Sequence, residues 1–187
     1  VAHNGQKRPL FSTDRILIPG QHNVENYLAA IAAVQGMVSD EVILHTAETF
    51  PGVEHRIELV RTKDGVRYYN DSIASSPTRT IAGLRSFHQK VILIAGGYDK
   101  KIPFDVLGKE VQDHVKTLVL TGHTAEKIRQ AVVQAEGYQE GYPTILMEDD
   151  FKQAVLAASQ TAQEGDVVIL SPACASFDHF KNFAQRG

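Results

Sequence analysis

One cysteine, Cys174, is the whole thiol content of this 187-residue chain. An internal disulfide is therefore excluded, and the composition points to a reducing compartment. An excess of positive charge is lacking too: 19 Lys and Arg stand against 22 Asp and Glu, a formal charge of −3. The polyelectrolyte footprint of a nucleic-acid binder is missing. No long apolar run occurs. Tyr27 to Val34, Val91 to Ala95 and Val167 to Leu170 are the longest, well short of the ~18 residues a membrane helix needs. The opening segment Val1-Ala2-His3-Asn4-Gly5-Gln6-Lys7-Arg8 has no apolar h-region, so nothing reads as a signal peptide. It has no initiating Met either, and the chain is expected to be a piece of a longer soluble protein.

Several catalytic signatures are absent as well. No G-x-x-x-x-G-K-[ST] loop occurs, so the chain cannot cradle a triphosphate in the P-loop manner. No G-x-G-x-x-G occurs, which weakens a dinucleotide reading, and no G-x-S-x-G elbow. The eight histidines are scattered with no helical i, i+4 pair, so no zinc site is expected. His45, His55, His88 and His114 read as solvated or capping residues. Cys174, beside apolar residues, reads as inert core rather than as a nucleophile.

What is present is an alternation of strand and helix patterns. The length suggests one full domain with chain left over, at roughly 150 residues per domain. Arg15 to Ile18 reads as a short strand ending at Pro19-Gly20. Asn23 to Met37 reads as a helix with Tyr27, Leu28, Ile31 and Val34 on one face, and Asp40 to Glu48 as a second. Arg56 to Arg61 and Val66 to Asn70 alternate at period two around Lys63-Asp64-Gly65, a hairpin signal. Val91 to Ala95 is an unbroken apolar run, as in a strand buried on both faces. Val115 to Leu120, Thr144 to Leu146 and Asp166 to Leu170 repeat that pattern. Helical stretches lie near Thr78–Phe87, Phe104–Asp113, Ala125–Ala135 and Asp150–Thr161. The expected fold is α/β: a Rossmann-like, mostly parallel sheet flanked by helices. A boundary near Pro51-Gly52 separates residues 1–51, the incomplete end of an upstream domain, from residues 52–187.

In an open parallel sheet, ligands bind beyond the carboxyl ends of the strands. The segments there are Asn70 to Pro77, Gly96-Gly97-Tyr98-Asp99-Lys100-Lys101, Thr121-Gly122-His123-Thr124 and Ser171 to Asp178. Their Gly, Ser, Thr and charged residues suit a small anionic ligand. Each also has a plain structural reading. Gly96-Gly97 reads equally as a tight turn, Thr124 as a helix N-cap, Ser176 or Asp178 as a cap of the last helix, and Tyr68 and Tyr69 as sheet residues.

Three segments resemble the Mur ligase family. Gly20-Gln21-His22-Asn23-Val24-Glu25-Asn26 is similar to the Gly-x-His-Asn-x-x-Asn helix closing the family's central domain. Asn70-Asp71-Ser72 with Ser75-Ser76-Pro77 is similar to the strand exit that opens its C-terminal domain. Leu170-Ser171-Pro172-Ala173-Cys174-Ala175-Ser176-Phe177-Asp178, running on to Phe180-Lys181-Asn182-Phe183 and Arg186-Gly187, resembles a signature of the D-glutamate-adding members. The first motif is shared with folylpolyglutamate synthetases.

The resemblance implies a cytoplasmic, monomeric, three-domain enzyme of peptidoglycan synthesis that uses ATP and Mg2+. Its substrates are D-glutamate and UDP-N-acetylmuramoyl-L-alanine, joined through an acyl phosphate, with no nucleic acid or membrane involved. It places Asn23 and Asn26 near adenine, and Arg56 and Asp71 near ATP as groups for phosphate and ribose. It places Ser75, Lys100, Ser176 and Phe183 around D-glutamate. No catalytic residue or metal ligand is assigned within the chain, which alone is expected to be inactive. Mg2+ is expected mainly on a central domain outside these residues. Two departures stand out. Ile73 replaces a lysine common in the family, leaving charge recognition to Lys100 with Lys101 or Arg79, and the chain stops at Gly187 before the family's last helix finishes. The alternatives are a fragment of a folylpolyglutamate synthetase-like ligase, or a non-catalytic α/β module that binds small anions.

Overall fold

A strand without a polar face has to be covered on both sides, and all six residues of Val91–Gly96 are buried. The larger part of the molecule is arranged around that strand. The structure, a computed structural model, describes residues 2–3 and 6–187, which form two compact units divided after Gly52.

The first unit contains an antiparallel pair, β1 (Ala2–His3) and β2 (Gln6–Lys7), then helices α1 (Gln21–Ala33) and α2 (Asp40–Thr49). The strand expected at Arg15–Ile18 is absent. Its signal was local, but a strand needs a neighbour. Here Thr13–Arg15 is a 3-10 turn capped by Ser12, and the amides of Arg15 and Ile16 return to the carbonyls of Ser12 and Thr13. The Leu17 amide goes instead to the Ala47 carbonyl. Helix α1 starts two residues earlier and stops four residues sooner than its periodicity predicts. Of the expected apolar face Ile31 is buried, whereas Leu28 is 59% exposed. Helix α2 lies within a residue of its expected bounds, with Ser39 accepting from the Val42 amide and Asp40 and Glu41 in the first turn.

The second unit carries β3 (Glu58–Lys63), β4 (Val66–Asn70), α3 (Pro77–Leu84), β5 (Val91–Gly96), α4 (Asp105–His114), β6 (Val115–Thr121), α5 (Ala125–Val133), β7 (Thr144–Met147), α6 (Phe151–Thr161), β8 (Val167–Leu170) and α7 (Phe183–Arg186). Strands β3 and β4 form the expected hairpin. Asp64 and Gly65 both have positive φ, as a two-residue turn of the primed type requires. The sheet order is β3-β4-β8-β5-β6-β7, and every pairing but β3–β4 is parallel.

Alternation along β5 decides what covers each face. Ile92 and Ile94 pack with Val119, Val168, Ala154 and Ala158 beneath α6. Val91, Leu93 and Ala95 pack with Leu84, Leu107, Val111 and Ile128 beneath α3, α4 and α5. The chain steps outward from β5 to β7, and α6 returns it to place β8 between β4 and β5. The winding reverses at β8, and a crevice opens at the carboxyl ends of the strands on either side of such a point.

Helices α4 and α5 meet at Gly108, where a Cβ would overlap the Ala131 carbonyl oxygen and lie 2.7 Å from the Ala135 Cβ. Alanine favours a helix over glycine by about 1 kcal/mol, yet Gly108→Ala should destabilise the protein by about 1–3 kcal/mol through overpacking. Urea denaturation checks this. An unchanged or raised midpoint would mean that α5 retreats without penalty.

Candidate functional site

The strand exits meet at the carboxyl edge, and backbone contact is close enough there to require glycine. A Cβ on Gly96 (φ 115°) would overlap the Thr121 carbonyl, and one on Gly97 (φ 145°) would overlap the Ala175 carbonyl. These glycines are therefore points of approach between neighbouring loops rather than only a turn. Thr124 occupies the N-cap position of α5, but its hydroxyl makes no capping bond. It donates to the Gly97 carbonyl and accepts from the Gly97 amide, both at 3.1 Å, and lies 3.0 Å from the Cys174 sulfur. The buried Gly97 backbone takes the hydroxyl that helix α5 was expected to use. Nor do Ser176 or Asp178 cap the last helix. Asn182 does, accepting from the Gln185 amide at 2.9 Å.

Helix α7 is joined to this edge through Arg186. Its Nε donates to Ser72 Oγ at 3.0 Å, Nη2 to the carbonyls of Ser72 at 2.9 Å and Cys174 at 3.0 Å, and Nη1 to the Ala175 carbonyl at 3.0 Å. Ser72 Oγ in turn donates to the Phe183 carbonyl at 2.8 Å. The Ala175 carbonyl also accepts from the Tyr98 amide at 2.9 Å, which ties the β5 exit to the β8 exit. Burial pulls the Arg186 guanidinium down to about 10, so it remains a cation at neutral pH. Burial pushes the Cys174 thiol up to about 11, which keeps it neutral, as inert core requires.

Asp71, at the end of β4, is 4% exposed. Its Oδ2 accepts from Ser171 Oγ at 2.7 Å and its Oδ1 from the Ile57 amide at 3.3 Å. Ser171 Oγ also meets Thr80 Oγ1 at 3.1 Å, and Gly83 of α3 leaves room for the carboxylate.

Of the residues assigned to D-glutamate, three lie on strand exits and the fourth on α7. Ser75 is half-buried in the β4 exit, with its amide bonded to the Ile73 carbonyl. Ser176 is buried in the β8 exit. Lys100 is exposed in the β5 exit, in a turn braced by Asp99, which accepts from the Lys101 amide at 2.7 Å and pairs with Lys127. Phe183, 39% exposed on α7, stands edge-on to His55 with ring centres 5.8 Å apart. His55 reads from sequence as solvated or capping. It is half-buried instead, with Nδ1 2.8 Å from Asn70 Nδ2. The Tyr98–Ala175 pairing joins the Lys100 and Ser176 segments, and Ser72 joins the β4 exit to Phe183.

Arg56 is exposed, two residues before β3. Asn23 and Asn26 belong to the other unit. On α1, Asn26 Nδ2 donates to Asn23 Oδ1 at 3.3 Å, and Asn23 Nδ2 donates to the Pro19 carbonyl at 2.6 Å. An open pocket of about 420 Å3 between the β5–α4 loop and α5 is lined by Lys101, Phe104 and Lys127 among others, and by none of the four D-glutamate residues. Among the described residues, no group of three or more His, Cys, Asp and Glu could hold a metal ion, and no helix is long and apolar enough to cross a membrane.

The sequence by itself assigns no role to Ser72, Thr80 or Arg186. Ser72 and Arg186 stand inside the motifs that carry the family resemblance, but nothing local marks the bond between them. Two buried polar atoms, Thr121 Oγ1 and Asp178 Oδ2, have no hydrogen-bond partner among the described residues.

Burial, opposed by the bonds from Ser171 and Ile57, raises the Asp71 carboxyl from 3.8 to about 6. The folded state therefore holds a proton that the unfolded state has released between those values, so stability falls as pH rises through that window. From about pH 4.5 to about pH 7 the carboxyl should cost about 2 kcal/mol of stability. Urea denaturation at both pH values should show that loss in the unaltered protein and not in Asp71→Asn. Parallel profiles would overturn the shift.

The family model described as "Mur ligase, glutamate ligase domain" matches residues 55–174. A protein of Acetivibrio thermocellus named UDP-N-acetylmuramoylalanine--D-glutamate ligase is 59% identical over 92% of this chain and 37% of its own length. One of the same name from Clostridium beijerinckii is 56% identical over 93% of this chain and 38% of its own length. The chain thus spans less than two fifths of the length of these relatives. Among solved structures, a Mycobacterium tuberculosis folylpolyglutamate synthase complexed with ADP shares the fold, with a TM-score of 0.62 at 13% identity over 84% of this chain and 39% of that one. Matched over most of the second unit, and at such identity over nearly its whole length, the chain belongs to the Mur ligase family.

Proposed function

We propose that the chain is the C-terminal part of an ATP-dependent ligase that joins D-glutamate to UDP-N-acetylmuramoyl-L-alanine in peptidoglycan synthesis. The observation that carries this reading is the pairing of Tyr98 with Ala175, which holds the loop of Lys100 against the loop of Ser176. A small dicarboxylate needs a cation and several neutral donors, and Lys100 with Ser75 and Ser176 supplies such a set. Phe183 closes the set on its apolar side. The two relatives named as D-glutamate ligases support the choice of amino acid. In this reading residues 1–51 end a central ATP-binding domain and residues 52–187 form the amino-acid-binding domain. The enzyme works in the cytoplasm as a monomer and contributes to cell shape and division.

The residues present fit part of a nucleotide site. Arg56 is exposed and makes no ion pair among the described residues, which suits a phosphate. Asp71 has both oxygens engaged and holds the Ile57 amide. Its proposed contribution near the ribose is therefore to fix the segment that carries Arg56. On α1, exposed Asn26 is proposed for the adenine edge, and buried Asn23, with both ends of its amide engaged, is proposed to hold Asn26 there. ATP supplies the phosphoryl group that activates the substrate carboxylate as an acyl phosphate. Mg2+ belongs mainly to residues outside this chain.

ADP release by the full-length protein, dependent on both UDP-N-acetylmuramoyl-L-alanine and D-glutamate, tests the reading. Turnover with L-glutamate and a folate acceptor instead would favour the folylpolyglutamate synthetase alternative, and binding without turnover the non-catalytic module. The isolated chain, which has no P-loop, should release no ADP. Lys100→Ala in the full-length protein should raise KM for D-glutamate about tenfold or more while leaving KM for ATP nearly unchanged, the loss expected for one charge-assisted contact. Steady-state kinetics with each substrate varied in turn checks it, and an unchanged D-glutamate KM removes Lys100 from the site.

A further inference from the structure

We infer that Arg186 is a positioning residue for the amino-acid subsite, whose side chain locks the β4 exit, the β8 exit and helix α7 into a single arrangement. The inference rests on the proposed D-glutamate site. A buried guanidinium ordinarily finds a carboxylate, because an unpaired charge taken out of water is costly. Arg186, 5% exposed, has no carboxylate within ion-pair distance among the described residues. It spends its donors on three backbone carbonyls and one hydroxyl.

Those acceptors lie beside the proposed contacts. Ala175 precedes Ser176. Ser72 lies three residues before Ser75, and its hydroxyl passes the connection on to the Phe183 carbonyl. The Ala175 carbonyl is shared with the Tyr98 amide, so the loop that carries Lys100 takes its register from the same atom. The β8 exit also needs holding. Ala173 sits at φ 59°, a left-handed conformation unfavourable for a residue with a Cβ. Arg186 takes the next two carbonyls after it. Only a planar fork reaches acceptors on two loops at once, and a lysine ammonium in its place could not span them.

The test uses the full-length protein. Arg186→Ala should raise KM for D-glutamate at least about tenfold, with KM for ATP changed less than about twofold. Arg186→Lys should not restore it, and added guanidinium ion should restore part of the D-glutamate affinity of Arg186→Ala. A partial loss of fold would lower the apparent kcat with both KM values unchanged and would not respond selectively to guanidinium. An unchanged D-glutamate KM in Arg186→Ala, full recovery in Arg186→Lys, or an equal rise in both KM values overturns the inference. Should Arg186→Ala not fold, Ser72→Ala carries the test, since it leaves the guanidinium its three carbonyls and cuts the link to Phe183. A several-fold rise in D-glutamate KM then supports the lock, and no rise overturns it.

No D-glutamate-dependent ADP release by the unaltered protein would overturn the proposed function instead. Hydrogen exchange separates the two failures. Faster exchange of residues 173–177 in Arg186→Ala, with β5 unchanged, supports the lock, and unchanged exchange overturns it.

Discussion

A sheet covered on both faces leaves its backbone one open edge for ligands, and there the chain must stop pairing strand to strand while its amides and carbonyls remain out of water. Every such group then needs a side-chain partner or a neighbouring loop. The carboxyl edge of the second unit meets this demand in three places. Thr124 serves both backbone groups of Gly97. Asp71 serves the Ile57 amide, and Thr80 Oγ1 donates to the Ser171 carbonyl at 3.2 Å. Arg186 serves Ser72, Cys174 and Ala175. Gly96 and Gly97 have no Cβ, and that is what lets these loops approach closely enough for the arrangement to exist.

Burial acts on the two charged members in opposite ways. Desolvation favours the neutral form of each, which raises the Asp71 carboxyl and lowers the Arg186 guanidinium. The consequences differ because the starting points differ. Arginine begins so far above neutrality that it stays charged after the shift. Asp71 is brought close to physiological pH, where its protonation follows the environment. A permanent cation binds the loops, while a titratable acid supports the segment of Arg56.

How far the sequence showed this depends on how local each signal was. The unbroken apolar run of β5 and the Asp64-Gly65 turn carry their own structural consequence, and both elements formed as expected. Arg15 to Ile18 has a strand-like composition but no partner, and strand pairing is a property of two segments. Thr124 looked like a cap because the helix start lies beside it in sequence, whereas Gly97, which takes its hydroxyl, lies 27 residues away. Arg186 reaches Ser72 across 114 residues. No period or spacing reports a bond of that reach. Ser75, Lys100, Ser176 and Phe183 are assigned by likeness to a family; the strand exits by themselves point to the segments of the first three but not to their side chains, and they do not reach Phe183 on α7.

The resemblance to the family implies a lysine where this chain has Ile73, and the same edge offers another cation in its place. Ile73 itself brings no charge to the β4 exit. Arg79, on the first turns of α3, lays its Nη1 3.3 Å from the Ile73 carbonyl, and its charge is felt at Asp71. A guanidinium thus stands over the backbone of Ile73. It arrives from a helix rather than from the loop, and one donor is committed to a carbonyl. In the proposed site it would keep the field positive while leaving direct carboxylate contact to Lys100, whose turn is held by Asp99 and Lys127 rather than by the ligand.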